Sequence, residues 1–106
     1  MATTKDFHDY VLECLNRADE VTTRKMMGEY LVYCRGRLVG DICDNTLLFK
    51  IVPETEALLA DCEKAYPYEG SKTLMHVVED FENTELMARV LDTLYRVLPE
   101  GKKKKK

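Results

Sequence analysis

The stretch Glu29-Tyr30-Leu31-Val32-Tyr33-Cys34-Arg35-Gly36-Arg37-Leu38-Val39-Gly40-Asp41-Ile42-Cys43-Asp44-Asn45-Thr46-Leu47-Leu48-Phe49-Lys50-Ile51 decides the fold. Residues 29–34 are rich in β-branched and aromatic side chains, which suit a pleated, half-buried surface. Arg35-Gly36 follows, and Gly36 supplies the positive φ that a tight hairpin needs. Residues 38–43 read as a second strand, Asp44-Asn45 as a second turn and residues 46–51 as a third strand. Links this short join neighbours antiparallel, so the stretch predicts a three-strand meander. Upstream, strand-like sequence begins near Thr22, and Met26-Met27-Gly28 reads as an extension of the first strand or a bulge at Gly28.

Helical patterns flank the meander. Phe7, Tyr10, Val11, Cys14, Leu15 and Ala18 recur at helical spacing, with Thr3 and Asp6 resembling a capping box. Pro53 suits the first turn of a helix running to about Lys64, with Ala57, Leu58 and Cys62 inward. Tyr66-Pro67-Tyr68 must be a loop, because the residue before proline is pushed out of helical φ/ψ. Residues 74–78 read as a fourth strand. Asn83 or Thr84 caps a last helix striped by Leu86, Val90, Leu91, Leu94 and Leu98, which Pro99 and Gly101 stop.

Segregated strands and helices predict an α+β two-layer sandwich: a meander of three strands plus a fourth, with about three helices on one face of the antiparallel sheet. The strands are apolar on both sides, however. Tyr30, Val32 and Cys34 point one way while Leu31 and Tyr33 point the other, and Leu48 opposes Leu47 and Phe49. A sheet with one wet face alternates more cleanly. Three short helices are few for two faces, so a homodimer that covers the second face is expected.

Composition narrows the classes. The chain has 106 residues, 45% hydrophobic and 33% charged, a globular balance. One domain is expected over residues 1–101, followed by a disordered tail of five lysines: Lys102, Lys103, Lys104, Lys105 and Lys106. Taking those five out of the 16 basic residues leaves 11 against 19 acidic, a net of −8. Such a body repels phosphate backbones, so nucleic acid is expected to bind only weakly, through the tail. No apolar run approaches the ~20 residues that span a bilayer, and no signal-peptide core opens the chain. A cytoplasmic protein with reduced thiols and no membrane partner is expected.

Candidate chemistry is sparse. No Gly-rich phosphate loop, nucleophile elbow, His-x-x-x-His or Cys-x-x-Cys pair occurs. Cys14 lies on the apolar helical stripe. Cys34, beside Arg35, is the one candidate for a low-pKa thiol. The carboxylates Asp41 and Asp44, and Glu79, Asp80 and Glu82, could hold a metal or form an acid/base pair. Their plainer reading is a turn and a solvated helix approach. His76 lies in an apolar strand, which suits packing better than catalysis. No cofactor, metal site or catalytic residue is expected, and a small thiol-dependent or carboxylate-based enzyme is the alternative. Tyrosine and methionine suit interfaces, so Met26, Met27, Tyr30, Tyr33, Tyr66 and Tyr68 are candidate contact residues.

Lys25 to Gly40, followed by Leu47-Leu48-Phe49-Lys50, resembles the N-terminal domain of TfoX/Sxy-type competence regulators. The shared pattern is Met26-Met27-Gly28, an aromatic strand with Tyr30 and Tyr33, the Gly36 turn, a second strand, and Leu47-Leu48-Phe49-Lys50. Tyr66-Pro67-Tyr68 resembles the family's aromatic–proline loop. The likeness covers residues 5–99. It implies an α+β fold, no catalytic residues, and regulation of DNA-uptake genes through protein partners. Full-length regulators carry a second domain, whereas this sequence passes into lysines after the first, so a stand-alone member is expected. A non-enzymatic protein-interaction module follows, with Met26, Met27, Gly28, Tyr30, Tyr33, Gly36, Tyr66 and Tyr68 as interface or motif residues.

Overall fold

The computed structural model describes residues 3–67 and 70–98, so Tyr68 and the lysines at 102–106 lie outside the described residues. Elements follow the order α1 (Lys5–Asn16), β1 (Val21–Met26), β2 (Glu29–Cys34), β3 (Arg37–Cys43), β4 (Thr46–Lys50), α2 (Pro53–Leu58), β5 (Lys64–Ala65), β6 (Met75–Val78) and α3 (Thr84–Val97). The class is α+β as expected, but the antiparallel sheet has six strands rather than four, in the order β1-β2-β3-β4-β6-β5.

The extra strands have local and distant causes. Met26-Met27-Gly28 neither extends a strand nor forms a bulge. Met26 pairs with Glu29, which leaves Met27 and Gly28 as a two-residue turn with φ of 53° and 85°. Arg35-Gly36 repeats that geometry at 52° and 85°, and Asp44-Asn45 at 52° and 55°. Two positive φ values in a two-residue loop are the type I′ hairpin, whose twist matches the flanking strands. Three such hairpins in succession give four strands. The one irregularity in β2–β3 pairing falls between Val32 and Tyr33, where the register shifts. β5 has only two residues and exists because β6 offers it an edge, Lys64 opposite His76 and Ala65 opposite Met75. The expected helix to Lys64 stops at Leu58 accordingly. Thr55 and Leu59 turn inward there, while Ala57 is exposed and Leu58 and Cys62 are half-buried.

Helix ends follow capping chemistry. Thr4, not Thr3, accepts the Phe7 N–H at the start of α1, and Asn83 accepts the Leu86 N–H at the start of α3. Thr3 is instead drawn into the sheet, where its hydroxyl donates to Glu29 Oε1 at 2.6 Å.

The core lies between the helices and one sheet face. Val11 and Leu15 of α1, Leu59, and Met87, Val90, Leu91 and Leu94 of α3 meet Val32, Cys34, Val39, Ile42, Leu47, Phe49 and Val78. Each large apolar side chain fully buried there stabilises by roughly 2–3 kcal/mol. The opposite sheet face is different. Cys43, Leu48 and Met75 are buried there beside Val77, and no helical residue joins them. Leu31, Tyr33 and Leu38 on that face are only half-buried. The helices therefore cover one face of a sheet that is apolar on both.

Candidate functional site

The residues singled out from sequence separate in three dimensions. Met26, Met27, Tyr30 and the newly prominent Glu29, Leu31, Asp41 and Cys43 line a groove of about 460 Å³ at the β1–β2 hairpin. Gly36 belongs to the hairpin at the other end of β2. Arg35 there donates to Asp19 at 3.0 and 2.7 Å and to Asp92 at 3.3 Å, and the Arg35 and Arg37 guanidiniums lie 4.7 and 4.5 Å from the Tyr95 ring. That end is a structural anchor to α3. Tyr66 is 56% exposed beyond β5, on the far edge of the sheet. Tyr30 leans toward the helices, stacked on His8 with ring centroids 3.9 Å apart. Tyr33 points to the helix-free face, on the side of the sheet that carries Leu31 and Leu38.

The groove owes its shape to the turn. Glu29 Oε1 accepts from the Thr3 N–H at 3.2 Å, the Thr3 hydroxyl, and the Asp44 N–H at 3.1 Å. Its charge is thereby spent on tying two hairpin ends and the N-terminal segment together. Asp41 has no hydrogen bond or ion pair among the described residues. Burial pushes its carboxyl above the usual carboxylate range, with Lys50 opposing. Met26 is 51% exposed and Met27 96% exposed, so the groove has an apolar rim that no described residue shields.

Met27 is disfavoured twice where it sits. Its φ of 53° costs an L-residue other than Asn or Asp roughly 1 kcal/mol, and its thioether packs on nothing. Met27→Asn is therefore expected to raise unfolding stability by about 1 kcal/mol in urea titration. A variant no more stable than the parent would show that Met27 has packing the exposure conceals.

The thiol alternative loses its candidate. Cys34 is fully buried, and burial pushes its pKa up to about 11, with Asp19 adding to the rise and Arg35 opposing it. A nucleophilic thiol needs the opposite shift. Burial and then Asp41 push Cys43 up to about 12. All four cysteines are free. The carboxylate candidates are separated or engaged: Asp44 sits exposed in a turn, Asp41 lies on the helix-free face, Asp80 accepts from Asn83 at 3.3 Å, and Glu82 accepts the Tyr10 hydroxyl. A second cleft, of about 520 Å³, opens where Leu58, Cys62, Glu79, Asp80 and Leu86 meet. Among the described residues, no group of three or more His, Cys, Asp or Glu side chains could hold a metal ion. Nor is any described helix long and apolar enough to cross a membrane.

Leu31 and Asp41 were missed as groove residues because sequence assigned one to a strand and the other to an acid pair. The Met27-Gly28 pair, at hairpin spacing from Arg35-Gly36, was the signal that could have placed them together.

Comparison with known proteins agrees with the pattern read from the strands. The chain is 27% identical over 105 residues, covering 99% of this chain and 91% of its relative, to an uncharacterized 12.7 kDa protein in the trpE 5' region of Spirochaeta aurantia. No solved structure matches the chain significantly. Residues 13–96 match the TfoX N-terminal domain, a span that runs from within α1 to the last turn of α3 and includes every strand of the sheet. The chain belongs to the TfoX N-terminal domain family.

Proposed function

We propose that this domain is a non-enzymatic protein-interaction module of the competence-regulator type, working through protein partners or self-association. One observation carries the reading: Met27, at the apex of the first hairpin, combines a left-handed backbone with 96% exposure. A strained, unshielded apolar residue at the rim of an apolar groove suits contact with another chain. Methionine adapts to irregular partner surfaces, which suits recognition better than catalysis. Four unpaired thiols suit a reducing cytoplasm.

Capture from native lysate tests the reading by comparison. The parent domain and the double variant Met26→Ser/Met27→Ser serve as baits under identical salt. Proteins held by the parent are expected to be lost from the variant, whose circular dichroism spectrum matches that of the folded parent. Identical captures, or none by either bait, would discard an interaction surface at this hairpin.

A further inference from the structure

Strand register lays a charged row across the helix-free face. Arg24 of β1 is paired with Leu31 of β2, Leu31 with Asp41 of β3, Asp41 with Leu48 of β4, and Leu48 with Val77 of β6. Residues directly opposite in a ladder share a face, so these side chains form one line across the strands. Neighbouring strands lie ~4.8 Å apart, which puts Arg24 and Asp41 roughly 10 Å from each other with Leu31 midway. Neither Arg24 nor Asp41 has a hydrogen bond or ion pair among the described residues. The row carries a cation at one end, an anion two strands away, and an apolar residue between them.

We propose that a second copy of this chain packs on this face about a two-fold axis that runs along β2 through Leu31, pairing each Arg24 with the other copy's Asp41. The inference rests on the interaction reading above and names its partner and geometry. Such an axis reverses the row, so cation meets anion twice and Leu31 meets Leu31. An isologous contact requires that reciprocity. An axis along the row would instead set Arg24 on Arg24 and Asp41 on Asp41, which like-charge repulsion disfavours.

Side-chain lengths agree with the geometry. Sheets stacked face to face stand ~10 Å apart. A long arginine opposite a short aspartate spans that gap, as does leucine on leucine. The next row, Thr22, Tyr33 and Leu38, is reversed in the same way, so Tyr33 meets Tyr33 and Leu38 meets Thr22. Asp41 gains most. Burial already disfavours its charge and Lys50 stands outside ion-pair distance, so an incoming guanidinium supplies the donor that the single chain lacks. The overlap is limited to β1, β2 and β3, about 14 by 20 Å in projection. Counted on both copies that is roughly 560 Å², below the ~1,200 Å² of a standard specific interface, so the dimer is expected to be weak and concentration-dependent.

Sedimentation velocity from 5 to 200 µM, on the full chain, tests this. The parent is expected to shift from monomer toward dimer across that range. Arg24→Asp, a change at an exposed edge position, is expected to weaken dimerisation at least tenfold, and Asp41→Arg likewise. An equimolar mixture of those two variants is expected to restore a dimer, because each supplies the charges its counterpart needs at both contacts. A parent that stays monomeric, an Arg24→Asp protein that dimerises as tightly as the parent, or a mixture of folded variants that stays monomeric would each overturn the proposal. Should Asp41→Arg not fold by circular dichroism, Asp41→Asn takes its place, with the same tenfold weakening expected and parental affinity overturning the proposal. A monomeric parent whose lysate capture still depends on Met26 and Met27 sinks only the two-fold row; loss of that dependence sinks the interaction reading itself.

Discussion

Gly40→Ala is expected to destabilise the domain by about 3 kcal/mol or more, the upper range for forced overpacking. A Cβ at Gly40 would stand 2.1 Å from the Leu48 carbonyl oxygen and 2.9 Å from Phe49 Cδ1. The first of these is backbone in the adjacent strand and cannot rotate away. β3 and β4 would have to part at the centre of the sheet, where Gly40 pairs with Phe49 and where Val39, Ile42 and Phe49 are fully buried. For a domain whose total stability is of order 5–15 kcal/mol, that is a large share. Urea unfolding followed by circular dichroism measures it. A Gly40→Ala protein within about 0.5 kcal/mol of the parent would mean that the two strands are not packed this closely.

The second large effect is acid lability centred on His76. Its side chain is fully buried, Nε2 lies 3.1 Å from Thr55 Oγ1, and Nδ1 has no hydrogen-bond partner. The Thr55 hydroxyl also lies 3.0 Å from the Val52 carbonyl and accepts the Val52 N–H at 3.0 Å. With one hydroxyl proton to give, Thr55 satisfies Val52 by donating to its carbonyl, so His76 donates from Nε2 and leaves a bare lone pair on Nδ1. Protonating Nδ1 would put an unpartnered N–H and a charge into the core. Burial accordingly lowers the His76 pKa, helped by Lys64 across the ladder and opposed by Glu56.

A histidine with a folded pKa below its unfolded value near 6.5 binds fewer protons when native. Its stabilising contribution is complete above that pH and is lost as pH falls below it, at up to about 1.4 kcal/mol per pH unit. His76→Phe should remove that loss between pH 6.5 and 5.5. Asp41, whose raised carboxyl binds its proton more tightly when native, acts with the opposite sign at lower pH, so the informative quantity is the difference between the two proteins. Parallel losses in parent and variant would contradict a buried, neutral His76. Thr55 and His76 together also fasten α2 to the sheet, so the first structure released by acid should be that helix.

Much of the fold could be read locally. The stripe of α1, the Asn83 cap and stripe of α3, and the Arg35-Gly36 and Asp44-Asn45 turns depend on side chains within a few positions of one another. Met27-Gly28 misled because methionine is an unusual residue for the first position of a type I′ turn, and its apolar side chain suggested continued strand. The helix expected to reach Lys64 failed for a different reason. Lys64 and Ala65 are good helix formers, but β6 provides ladder hydrogen bonds that override this local preference.

The candidate site was legible only in part. Met26 and Met27 could be picked by chemistry. Tyr66 could not be excluded by it, because its distance from the hairpin follows from strand order alone, whereas Gly36 is set apart by the length of β2.

Taken by itself, the sequence determined the fold class, the amphipathic helices and a sheet apolar on both sides, since hydrophobic period and turn chemistry act over short range. Tertiary structure decided which strand lies beside which beyond the hairpins, placing β6 between β4 and β5 and burying His76. Those outcomes depend on register between segments distant along the chain, and register is set by backbone hydrogen bonds and core packing that no local pattern contains.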